Sequence, residues 1–218
     1  MSLTNIFFDF DGVLLDSIEA HEQAFRQAFD NFEIQHKNFY YITGRSSKSL
    51  VQEFLHGNNI FDVKLIKTIV EEKQKIVRAR IEETLPIFEN EIEVLTSLRK
   101  KFKLTIVSSS TNYLIKKFLL KYNLENVFSR VISNENTSNS KPNPEPYLLA
   151  LNINKVESIN SIAIEDSEMG INSAIEAGLK VIKFNPTCQK DYSDSKIEKI
   201  ECVTYNEIYE AISECSSK

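Results

Sequence analysis

From residue 90 to the end of the chain, short apolar runs alternate with stretches of helical periodicity. The runs are KLTIV (103–107), RVIS (130–133), SIAIE (161–165) and KVIKF (180–184). Helical patterns occupy 90–101, 111–121, 144–151, 167–177 and 205–214. The runs do not alternate with polar residues, so both faces of each strand must be covered. Strands of that kind, separated by helices, specify a parallel sheet with helices on both sides. A further apolar run, TNIFF (4–8), needs a place in the same sheet. Residues 16–84 break the rhythm, since Asp16–Phe32, 46–56 and 61–84 are helical patterns with no strand between them. The expected architecture is α/β. A doubly wound, Rossmann-like parallel sheet spans 1–15 and 85–218, with an all-helical cap domain inserted at 16–84.

At 218 residues the chain has room for one large domain or one domain with an insert. A formal net charge of −5 leaves no basic footprint for general nucleic-acid binding. No apolar run reaches the roughly 18 residues that a membrane span needs. No basic segment precedes the apolar start of the chain, as a secretory signal requires. Cys188, Cys202 and Cys215 are odd in number and lack metal-ligand spacing, so they read as reduced thiols. The expectation is a cytoplasmic monomer with no nucleic-acid or membrane partner.

Four of the strands end in residues that carry chemistry. In FFDFDGVLLDS, Asp9 and Asp11 follow the first strand and precede a glycine turn. Ligands of open α/β sheets bind outside the carboxyl ends of strands. Two carboxylates there repel each other unless a cation or a shared proton intervenes. A plain turn or capping pair is the alternative. A calcium loop is excluded, because its sixth position is Leu14 and its twelfth Ala20. Glu165 and Asp166 close SIAIE in the same way, and such residues also suit a helix start. The two acidic pairs together could hold a hard divalent cation. Ser108, Ser109 and Ser110 follow KLTIV, where hydroxyls and backbone N–H groups could grip an anion or cap the next helix. Lys141 sits before Pro142 in KPNPEP, a rigid turn holding three of the chain's five prolines. A lone lysine is ordinarily a surface group, but this frame fixes its ammonium. Carboxylates, hydroxyls and an ammonium at adjacent strand ends suit a phosphoryl group and its capture by an aspartate.

These residues, in this order, resemble the haloacid dehalogenase-like hydrolases, specifically the branch of small phosphatases and β-phosphoglucomutases with a helical cap. DFDGV matches the first family motif and Ser108 after KLTIV the second. Lys141 in KPNPEPY matches the third, and Glu165–Asp166 in IEDSEMG the fourth. The resemblance covers essentially the whole chain. It implies that Asp9 is a nucleophile forming an aspartyl-phosphate and Asp11 the general acid and base. It also implies that Asp9, the backbone carbonyl of Asp11, and Asp166 bind Mg²⁺ with Glu165 close by, while Ser108 and Lys141 hold phosphoryl oxygens. The second aspartate separates this chain from the family's true dehalogenases and transport ATPases.

In the inserted block, His21 falls where β-phosphoglucomutase-like sequences place a histidine that reports on substrate. A lone helical histidine is otherwise an ordinary surface residue. Mutases of this branch also carry a Gly-x-x-Arg loop whose arginine binds a distal phosphate. Here the segment is Thr43-Gly44-Arg45-Ser46-Ser47-Lys48, and Ser47 stands in the arginine's place. Arg45 and Lys48 are the cations left to face a substrate, with Ser109 as a further contact. The expected function is a Mg²⁺-dependent phosphatase acting on a small phosphorylated metabolite such as a sugar phosphate. The alternative is an intramolecular phosphotransferase of the β-phosphoglucomutase type.

Overall fold

The computed structural model describes residues 2–41, 46–186, 200–202 and 204–216, with 200–202 and 214–216 described by backbone alone. The chain divides into two compact units, one of Met1–Leu15 and Ile87–Lys218, the other of Asp16–Pro86.

The first unit is built on a six-stranded sheet. Its strands are β1 (Asn5–Phe8), β2 (Lys103–Val107), β3 (Phe128–Ile132), β4 (Ser161–Glu165), β5 (Lys180–Phe184) and β6 (Ile200–Cys202). Their order is β3-β2-β1-β4-β5-β6, and every pairing is parallel. All four residues of β1 and all five of β4 are buried. Covering both faces is what allows such continuous apolar runs, and each fully buried Phe or Ile contributes about 1.5–3 kcal/mol. β6 had no sequence signal, because three residues are too few to display a period.

Register decides what emerges at the carboxyl edge. Phe8 lies opposite Ile106 on β2 and Ile164 on β4. The next residue, Asp9, therefore comes out level with Val107 and Glu165. Beyond it the chain turns at Gly12, whose φ of +79° suits glycine. A side chain there would also collide with Asp166, since a Cβ would stand 2.2 Å from Oδ2.

The second unit contains α1 (Ile18–Asn31), α2 (Ser47–Gly57) and α3 (Val63–Thr84). Ser46 caps α2 by accepting from Ser49 N, and Asp62 caps α3 by accepting from Lys64 N and Leu65 N. Its core packs Phe25 and Phe29 of α1 against Phe39, Leu50, Val51 and Ile69. α3 ends where Leu85 turns left-handed at φ 41°, immediately before Pro86. Arg45 lies outside the described residues, as does Cys188.

The first unit's helices are α4 (Glu91–Arg99), α5 (Asn112–Lys121), α6 (Glu145–Asn154), α7 (Glu168–Glu176) and α8 (Tyr205–Ser216). α7 is capped by Ser167, which accepts from Gly170 N, and Gly178 turns the chain after it at φ +81°. The Tyr205 hydroxyl donates to Val13 O at 2.6 Å, tying α8 to the loop after β1. Among the described residues, no helix is long and apolar enough to cross a membrane.

Candidate active site

The sheet order places β1 between β2 and β4, so residues just past these three strands meet at one edge. Asp9 is anchored there by its backbone, its N–H donating to Ile164 O at 3.0 Å. Ser108 is anchored in the same way by donation to Ile132 O at 2.9 Å. Lys141 comes from the turn after β3, where its peptide bond to Pro142 is cis.

Lys141 is the electrostatic centre. Its Nζ donates to Asp9 Oδ1 at 2.6 Å, Glu165 Oε1 at 2.6 Å and Val107 O at 2.8 Å. Burial by itself would drive the proton off, but the two carboxylates outweigh it and hold the ammonium above the ordinary lysine range. Glu165 is fully buried, and that burial pushes its carboxyl upward, with Asp9 adding to the effect and Lys141 opposing it. Tyr147, on α6, donates to the same Glu165 Oε1 at 2.6 Å and lies under the Lys141 ammonium, 5.0 Å from ring centre to Nζ.

Asp166 stands beside this pair. Loss of surrounding water raises its carboxyl, and the charges of Asp9, Glu165 and Asp11 push it further the same way. Asp9, Glu165 and Asp166 each offer an oxygen within 4.8 Å of the others. Buried Oε2 of Glu165 has no hydrogen-bond partner. Three mutually repelling hard-oxygen donors, one with an unsatisfied buried atom, fit a divalent cation. The Asp11 carboxylate lies outside that triplet.

Asp11 instead accepts a close hydrogen bond from the Ser110 hydroxyl. Ser110 N in turn donates to Ser108 Oγ at 2.9 Å, so the buried Ser108 side chain braces the loop. Ser109 is exposed between them. None of the three serines caps α5. That role falls to Thr111, whose side chain accepts from Leu114 N.

In the helical unit, His21 Nδ1 is 2.9 Å from Lys73 Nζ, which also donates to Ser47 Oγ at 3.2 Å and lies 4.6 Å from the Phe25 ring centre. Burial depresses the His21 pKa to about 3, with the Lys73 charge adding to it, so the imidazole is neutral and accepts from the ammonium. Lys48 is exposed on the first turn of α2.

The roles of three residues in these clusters go beyond what the sequence singles out. Ser110 was one of three indistinguishable serines, and Tyr147 lay at the end of KPNPEPY as an ordinary helical aromatic. Lys73 did leave a signal. It occupies the buried stripe Ile66, Ile69, Lys73, Val77, Ile81 of α3, where a charge is out of place.

Fold and site define an α/β protein whose strand-end edge gathers acidic groups around one fixed ammonium. The chain belongs to the haloacid dehalogenase-like hydrolases, whose family model matches residues 6–184. A phosphorylated carbohydrates phosphatase of Thermotoga maritima is 26% identical over 182 residues, 81% of this chain and 82% of the relative. A hydrolase of the same superfamily from Entamoeba histolytica superposes with a TM-score of 0.74 at 25% identity, over 99% of this chain and 100% of the other. A haloacid dehalogenase-like protein of Agrobacterium tumefaciens gives a TM-score of 0.77 at 22% identity, over 97% of this chain and 98% of the other.

Proposed function

We propose that this hydrolase is a Mg²⁺-dependent phosphatase that acts on a small phosphorylated metabolite, a sugar phosphate, through an aspartyl-phosphate on Asp9. The observation that carries the reading is the Lys141 ammonium fixed 2.6 Å from Asp9 Oδ1, with Asp11 two residues further on. The relative named as a phosphorylated carbohydrates phosphatase supports the substrate class.

In the proposed reaction an Asp9 carboxylate oxygen attacks phosphorus. The bond from phosphorus to the leaving oxygen breaks as Asp11, in its acid form, gives that oxygen a proton. Asp11, now a carboxylate, then takes a proton from the water that attacks the phosphoaspartate. The bond to Asp9 breaks and orthophosphate departs. Lys141 and Ser108 hold phosphoryl oxygens throughout. Mg²⁺ bound by Asp9, Asp166, Glu165 and the Asp11 carbonyl would neutralise charge that otherwise repels the phosphoryl group. His21, Arg45 and Lys48 are proposed to read the rest of the substrate, and Ser109 to contact it.

The test is a panel of phosphorylated metabolites assayed with Mg²⁺ and again in excess chelator. Orthophosphate release from sugar monophosphates that stops on chelation is expected. Full activity in chelator would overturn the metal requirement. Interconversion of β-glucose 1-phosphate and glucose 6-phosphate without orthophosphate would replace hydrolysis by phosphoryl transfer.

A further inference from the structure

We propose that Tyr147 and Gly170 are positioning residues that present Glu165 to the cation through one oxygen only, and that they thereby set a preference for Mg²⁺ over Ca²⁺. The inference rests on the Mg²⁺ site of the proposed function.

Glu165 is fully buried, yet its two oxygens are treated differently. Oε1 accepts from the Tyr147 hydroxyl and the Lys141 ammonium, each at 2.6 Å. Those two donors use the acceptor capacity of that atom. Oε2 receives no donor. The carboxylate lies flat against Gly170, where an added Cβ would stand 2.0 Å from Oε2, 2.1 Å from Cδ and 2.2 Å from Oε1. A side chain at 170 and this position of Glu165 exclude each other. Tyr147 is itself immobilised, being fully buried with its ring packed on Phe7 at 6.5 Å between centroids.

Bidentate coordination needs both oxygens of a carboxylate turned toward one ion. With Oε1 committed to Tyr147 and Lys141, Glu165 has only Oε2 to give. Mg²⁺ demands a near-ideal octahedron and suits single-oxygen donors, whereas Ca²⁺ takes six to eight oxygens and favours carboxylates that can bind through both. Tyr147 and Gly170 thus act through Glu165, without touching the ion.

The test is the shift of the thermal unfolding midpoint with MgCl₂ or with CaCl₂, in the absence of substrate, converted to a dissociation constant for each cation. In Tyr147→Phe the ring stays and the hydroxyl goes, freeing Glu165 to pivot. Affinity for Mg²⁺ should fall about tenfold, in the range typical of losing an outer partner of a ligand. Affinity for Ca²⁺ should fall by less than about threefold, since a pivoting carboxylate serves that ion. Gly170→Ala is the second variant. Alanine favours a helix, so the chain should fold while the displaced carboxylate loses its discrimination between the two ions. Equal weakening of both cations in the variants would mark the two residues as merely structural and overturn the proposal. An unchanged ratio would do the same. A wild-type protein that binds neither cation would overturn it together with the metal site it depends on.

Discussion

Lys141 Nζ and Asp9 Oδ1 meet at 2.6 Å across 132 residues of chain, with both side chains almost wholly shielded from water. The same ammonium contacts Glu165 at 2.6 Å, so one positive charge separates two buried negative ones. Such a group cannot be removed without leaving uncompensated charge behind.

Lys141→Met should therefore destabilise the metal-free protein by about 3 kcal/mol as well as abolish turnover. Urea unfolding in chelator measures the first effect. Adding Glu165→Gln should restore part of the loss, because one of the two stranded charges is gone. A Lys141→Met protein as stable as wild type would refute the central role given to this ammonium.

Asp9→Asn should lower turnover by at least about a thousandfold, as removal of a nucleophile does elsewhere. Asp11→Asn should cost about 10²–10⁴-fold, the usual range for losing a general acid or base. Mass spectrometry of the Asp11→Asn protein incubated with substrate should find phosphate retained on Asp9. Near-normal turnover of Asp9→Asn, with deamidation excluded, would contradict the covalent route.

Ser110→Ala removes the hydroxyl that donates to Asp11. A hydrogen bond to a charged group is worth about 1.5–3 kcal/mol, so kcat should drop at least about tenfold. The exposed neighbour Ser109 makes a paired comparison. Ser109→Ala should cost less, and the reverse ranking in steady-state kinetics would show that the Asp11 contact has no catalytic weight.

His21 carries a pH signature. Its pKa is depressed from the ordinary 6.5 to about 3 by burial and by Lys73. Below about pH 6.5 the unfolded chain takes up a proton that the folded state refuses, so stability falls as pH drops toward 3 and levels off below it. Above 6.5 the residue contributes no slope. His21→Gln keeps an acceptor for Lys73 and should flatten the acid limb of a melting-temperature profile between pH 7.5 and 5. Parallel profiles for the two proteins would rule out a buried neutral imidazole.

Arg45→Ala combined with Lys48→Ala tests the substrate-reading role proposed for the helical unit. Turnover of the best sugar phosphate should fall about tenfold or more, the cost of one lost charged contact, while a small aryl phosphate is hydrolysed as before. Equal rates on both substrates, unimpaired, would remove Arg45 and Lys48 from the site.

The amino-acid sequence by itself determined the parallel α/β core and the family. The evidence for both is short-range: KLTIV and SIAIE are short, largely apolar runs bounded by polar residues, and DFDG and KPNPEP are turns set by neighbouring residues. Period and turn chemistry act over a few residues, so a linear string displays them. Only the tertiary structure decided which side chains converge. That Ser110 and not Ser109 meets Asp11 depends on where the loop after β2 directs each hydroxyl. That Tyr147 shares Glu165 Oε1 with Lys141 depends on how α6 packs against β2 and α7. Lys73 lies in a core stripe because His21 and Ser47, 52 and 26 residues away, give its ammonium partners. In each case the partner is remote in sequence, and a hydrogen bond between remote groups forms only once packing has fixed the distance and direction between them.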